Sequence, residues 1–74
     1  MIAEHDSVVL TRDIPEHALR AGDVGVVVNV YKGGRAFEVE FVAGDGRTLA
    51  ILTLRPEDVR ALAEEEILHV RAIS

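Results

Sequence analysis

Val24-Gly25-Val26-Val27-Val28-Asn29-Val30-Tyr31, then Lys32-Gly33-Gly34, then Arg35-Ala36-Phe37-Glu38-Val39-Glu40-Phe41-Val42 form the most informative stretch of this chain. At a period of two, Val24, Val26, Val28 and Val30 fall on one face of a strand, and Gly25, Val27, Asn29 and Tyr31 on the other. In the second half Phe37, Val39 and Phe41 point one way while Glu38 and Glu40 point the other, the pattern of a half-buried strand. Gly33-Gly34 supplies the positive φ angles that a two-residue hairpin requires. The stretch therefore predicts an antiparallel pair, 24–31 and 35–42, joined by a tight turn.

Downstream, Ala43–Arg47 reads as a second hairpin turn through Asp45-Gly46. It leads into Thr48–Leu54 (TLAILTL), which is apolar on both faces. A strand of that kind is expected either at the centre of a closed barrel or beneath a partner. Arg55-Pro56-Glu57-Asp58 predicts a short helical turn near residues 56–58, with proline early and acids at its N-terminal end. Val59–Leu62 follows it. Ile67–Ala72 fits a closing strand, although Val59, Leu62, Ala63 and Ile67 also mark a helical stripe.

Upstream, Ser7–Arg12 (SVVLTR) is β-branched and reads as a first strand. Asp13–Asp23, interrupted by Pro15 and closed by Gly22-Asp23, is a long loop. Five or six short strands joined by tight turns after one long early loop predict an all-β fold, a small SH3-like barrel.

The chain has 74 residues and no cysteine, so a single domain spanning 1–74 is expected, without disulfides, thiolate zinc sites or a cysteine nucleophile. At this size one core rarely supplies more than about 3–5 kcal/mol, which favours self-association or a protein partner. No apolar run approaches the roughly 20 residues of a membrane span, and Met1–Ser7 carries Glu4 and Asp6 with no basic region typical of a signal peptide. A cytoplasmic location is expected. Eight basic residues stand against thirteen acidic ones, a net charge of −5. Residues 1–46 carry four basic and eight acidic side chains, so no basic footprint for a phosphate backbone is visible and nucleic acid is an unlikely ligand. Seven of the eight basic residues are arginine and Asn29 is the only side-chain amide, a composition that fits either a GC-rich or a heat-adapted source.

Ala21-Gly22-Asp23-Val24-Gly25-Val26-Val27-Val28-Asn29-Val30 resembles the signature of small barrels related to KOW motifs. In that pattern Asp23 caps the turn, and Gly25 sits where a side chain would collide with a neighbouring strand. Over most of residues 6–62 the chain resembles the DUF4926 family of short bacterial proteins. The residues that carry the resemblance are Asp6-Ser7-Val8-Val9-Leu10, Asp13-Ile14-Pro15-Glu16, Leu19 to Gly25, Tyr31-Lys32-Gly33-Gly34, Phe37 to Phe41 and Asp58-Val59-Arg60. The family has no assigned function, and the resemblance implies by association a partner-binding or antitoxin-like role beside a neighbouring gene product. A KOW-like RNA or ribosome-associated binder is the alternative.

Candidate chemistry is sparse. His5, His17 and His69 stand beside acids only as sequence neighbours, which rarely aim at one point, so no metal site is expected. Glu38 and Glu40 share a strand face at a spacing of roughly 7 Å, where alternating acids more often face solvent than perform acid–base work. No serine or threonine has a nucleophile-elbow context, and no helix follows the glycine turns to cradle a phosphate. Neither enzymatic activity nor a cofactor is expected. A protein-interaction module is the leading expectation, with Ile14, Pro15, His17 and Leu19 in the long loop and Tyr31 and Leu52 as contact residues. Gly22, Asp23, Gly25, Gly33, Gly34 and Gly46 are assigned to the turns.

Overall fold

A computed structural model describes residues 2–63. Five strands follow in chain order: β1 (Ser7–Leu10), β2 (Val24–Tyr31), β3 (Ala36–Val42), β4 (Thr48–Leu54) and β5 (Val59–Ala61). All pair antiparallel in one sheet of order β4-β3-β2-β1-β5. Three-residue 3-10 turns at Pro15–His17, Lys32–Gly34 and Pro56–Asp58 are the only helical pieces among the described residues. The fold is all-β, a small, open, barrel-like sheet of five antiparallel strands, as the all-β expectation has it. The sixth strand expected at Ile67–Ala72 lies outside the described residues.

One apolar cluster draws on every strand: Val8 and Leu10 of β1, Val27 of β2, Phe37, Val39 and Phe41 of β3, Leu54 of β4 and Val59 of β5. β4 and β5 stand at opposite ends of the sheet order. The cluster's side chains are all 5% exposed or less although no second sheet or long helix covers them among the described residues, so the sheet curls over its own inner face. Ile14 and Leu19 come down from the long loop to complete the core.

The four-valine face of β2 does not become the inner one. Gly25 and Val27 point inward, whereas Val24, Val26 and Val28 are exposed. A bulge then changes the phase. Val27 pairs with Val39 and Val30 with Phe37, so three steps on β2 match two on β3. Beyond the bulge Val30 joins Val27 against the core. Inward-facing Gly25 leaves room for the neighbouring strand. A Cβ there would lie 2.5 Å from Val39 Cγ1, 2.8 Å from Phe41 Cε1 and 3.0 Å from the Glu40 carbonyl oxygen.

The turn after β2 is longer than a two-residue hairpin. Arg35 is helical (φ −74°, ψ −24°), its N–H donates to the Tyr31 carbonyl at 3.2 Å, and β3 begins one residue later than predicted, at Ala36. Gly33 and Gly34 both have positive φ (67° and 89°), as this path requires. β1 also stops early, at Leu10, because Thr11 and Arg12 leave the ladder to hold the 56–58 turn.

β4 departs from the first of its two expected settings. It is an edge strand and not a central one: β3 flanks it on one side, and among the described residues no strand flanks the other. Leu54 is buried and Leu52 packs on the core, while Leu49 and Ile51 face outward. Its doubly apolar composition therefore leaves one face uncovered among the described residues.

Candidate functional site

The long loop is pinched at its base. The Ile14 N–H donates to the Leu19 carbonyl at 2.8 Å, and the Leu19 N–H returns to the Ile14 carbonyl at 3.1 Å. Between them Pro15 opens a 3-10 turn that ends at Ala18 in the left-handed region (φ 57°). Pairing of the loop on itself turns Ile14 and Leu19 inward, to 3% and 4% exposure. Below the pinch, Asp13 Oδ1 accepts from the Ala21 N–H at 2.8 Å and Asp23 Oδ2 from the Arg20 N–H at 2.9 Å. Asp23 thus caps the turn in which Gly22 takes a positive φ of 95°.

These contacts divide the six predicted contact residues. Ile14 and Leu19 are brought together, but as core, and Leu52 lies on the inner side of β4, partly buried. None of the three offers its side chain to a partner as an open surface. Pro15 and His17 are exposed at the loop tip, and Tyr31 is exposed at the end of β2. The phase of β4 explains Leu52: Leu54 is fixed in the core opposite Phe37, so Leu52 shares its side and Ile51 takes the other.

A different surface gathers the uncovered aliphatic side chains. Across the outer face of β2, β3 and β4, Val26 pairs with Glu40 and Glu40 with Ile51. Two residues along from that row are Val24 on β2 and Val42 on β3. Val42 pairs with Thr48, and a bulge leaves Leu49 beside them. Leu49 and Ile51 are 53% and 54% exposed, and Val24, Val26, Val28 and Val42 are exposed as well. The next row in the opposite direction is Asn29, Glu38 and Thr53. Thr48 Oγ1 donates to Glu40 Oε2 at 2.7 Å, which holds that carboxylate against the sheet. The strand positions on this face carry two charges, Glu38 and Glu40, both negative.

Sequence reading found the apolar residues of β4 but not their phase, and it placed Val24 and Val26 on one face of β2 without offering them, or Val42, as contact residues. The available signal was the alternation itself. Phe37, Val39 and Phe41 set the inner face of β3, so the partners of Glu38 and Glu40 had to lie outside. The bulge at Val28, however, has no sequence mark of its own.

A second polar cluster is structural. Arg12 Nε donates to Asp58 Oδ1 at 2.8 Å, and the Arg55 N–H donates to Asp58 Oδ2 at 3.0 Å. Thr11 closes the same junction, its Oγ1 donating to the Glu57 carbonyl at 2.6 Å and its N–H to the Asp58 carbonyl at 2.9 Å. The Arg12 hydrogen bond holds the Asp58 carboxyl below the ordinary carboxylate range, against the opposing pull of partial burial, and the Arg55 N–H adds to the lowering. The same pair raises the Arg12 guanidinium. Both carboxylate oxygens of Asp58 accept a hydrogen bond within this junction, and the turn delivers Val59 to β5 beside Leu10 of β1.

Among the described residues no three His, Cys, Asp or Glu side chains come together as metal ligands. Among those residues, too, no helix is long and apolar enough to cross a membrane. Glu38 and Glu40 sit on an open sheet face between aliphatic residues. No curated protein and no solved structure matches the chain. The model of one family, described as a domain of unknown function (DUF4926), matches residues 4–61, and the chain belongs to that family.

Proposed function

We propose that this chain is a non-catalytic protein-interaction module that binds a protein partner through the outer face of β2, β3 and β4. The observation that carries this reading is the exposure of Leu49 and Ile51 beside Val24, Val26 and Val42. A contiguous aliphatic surface in water has an unfavourable hydration free energy, and small soluble domains rarely keep one without a use. Burying it beneath a partner would also add stability to a core that its size keeps small. The two carboxylates on the face, with a net charge of −5, disfavour a phosphate backbone as the occupant.

The test uses the chain in its own cells, wild type against Leu49→Thr/Ile51→Thr, purified gently and sized, with co-eluting protein identified by mass spectrometry. Wild type should elute with one identified protein in fixed stoichiometry, and the variant should elute alone. Both substituted positions are exposed, so stability should change by no more than about 0.5 kcal/mol per site. Elution of both forms alone, or equal retention of the partner by both, would overturn the reading.

A further inference from the structure

We infer that the partner segment covering this face is aliphatic and carries a pair of arginine or lysine side chains set about 6–7 Å apart to meet Glu38 and Glu40. The inference rests on the interaction face proposed above and adds the chemistry of its complement. Glu38 and Glu40 occupy successive outward positions on β3, the middle strand of the three. Any cover that buries Val26 and Ile51 passes directly over Glu40, because the three form one row. A buried carboxylate without a cation is costly. Thr48 satisfies one oxygen of Glu40 with a neutral hydrogen bond, which orients the group without neutralising it.

Charge selects among the possible occupants. A second copy laid face to face would confine four carboxylates between aliphatic surfaces, so self-pairing at neutral pH is opposed. The chain's own C-terminal stretch, residues 64–74, is aliphatic over much of its length but carries three glutamates and a single arginine, Arg71, with no lysine, one permanent cation where the face presents two carboxylates. A segment with two cations at i, i+4 of a helix or i, i+2 of a strand has both the spacing and the sign. Arginine suits the position better than lysine, since its planar fork can meet a carboxylate with two parallel bonds.

The test titrates full-length protein with three designed helical peptides on one leucine-rich scaffold, carrying at i and i+4 two arginines, two glutamines or two glutamates. Wild type should bind the arginine peptide about tenfold or more tightly than the glutamine peptide, and the glutamate peptide most weakly. Glu38→Gln/Glu40→Gln should remove the preference for arginine, and Ile51→Asp should abolish binding. Equal binding of the arginine and glutamine peptides, both lost in Ile51→Asp, would overturn the cationic complement while leaving the interaction face standing. Arginine-peptide binding that survives Ile51→Asp would overturn both. No binding of any peptide to natively folded protein overturns the inference, and the co-purification experiment then judges the face alone. A dimer at neutral pH that Ile51→Asp dissociates, or nuclear Overhauser contacts between residues 67–73 and Ile51 in the free chain, would give the face to another occupant and overturn it likewise.

Discussion

Gly25→Ala adds one methyl group at the most crowded backbone position of the sheet. The new Cβ would stand 2.5 Å from Val39 Cγ1, 2.8 Å from Phe41 Cε1 and 3.0 Å from the Glu40 carbonyl oxygen. Ordinary carbon–carbon contact is about 3.5–4.0 Å, so all three neighbours must give way. Val39 and Phe41 have no slack, at 0% and 2% exposure, and the carbonyl belongs to the β3 backbone. Relief therefore requires β2 to separate from β3 or a core side chain to leave its rotamer, at an expected cost of about 2–3 kcal/mol, the upper part of the range for overpacking. In a domain of this size that is about half or more of the stability, and the melting temperature should fall by roughly 8–24 °C. Gly46→Ala serves as the control, because Gly46 has a positive φ of 87° and open space around it. Its cost, about 1–2 kcal/mol, should be conformational alone. Urea unfolding followed by circular dichroism measures both, and Val39→Ala separates them: it should partly rescue Gly25→Ala and leave the Gly46→Ala cost unchanged. A Gly25→Ala domain within about 0.5 kcal/mol of wild type would refute the steric account of this glycine.

Asp58→Asn keeps the shape of the turn but removes the charge that Arg12 meets, and should lower stability at neutral pH, by less than breaking a fully buried ion pair would because Arg12 is 55% exposed. The folded pKa of Asp58 lies below its unfolded value, so its contribution is present above about pH 4 and is lost as pH falls through the folded pKa. The difference between wild-type and Asp58→Asn stability should thus shrink on acidification, and urea titrations at several pH values check it. Ala18→Gly should stabilise the loop by roughly 0.5–1 kcal/mol, since Ala18 is exposed at φ 57° and relief of left-handed strain exceeds the added chain entropy. Thermal unfolding reads this directly, and a lower melting temperature would contradict it.

The elements legible in the sequence are those whose information is local. Alternation of Phe37, Val39 and Phe41 with Glu38 and Glu40 is a property of five consecutive residues, and β3 appears within one residue of where it predicts. Gly22, Gly33, Gly34 and Gly46 mark turns because positive φ is a property of a single residue. The 56–58 turn follows from proline and acids in adjacent positions. By contrast, Arg12 and Asp58 are 46 residues apart, and nothing near either names the other. Ile14 and Leu19 read as loop residues free for contact because their burial depends on a core assembled from five distant strands.

The sequence by itself determined that this is an all-β chain of short strands and tight turns, without cysteine chemistry and acidic overall. Tertiary structure alone decided which side of β2 and of β4 faces water. Where both faces carry apolar residues, a period of two separates them but does not label them. On β2 the label came from Val39 and Phe41, which leave space only for a glycine at position 25, and from the bulge that brings Val30 inward opposite Phe37. On β4 it came from Leu54, held in the core opposite Phe37, which turned Ile51 and Leu49 outward at the sheet edge. Mutual burial of residues far apart in the chain is a collective property, and it is what moved the candidate contact surface from the loop to the outer sheet face.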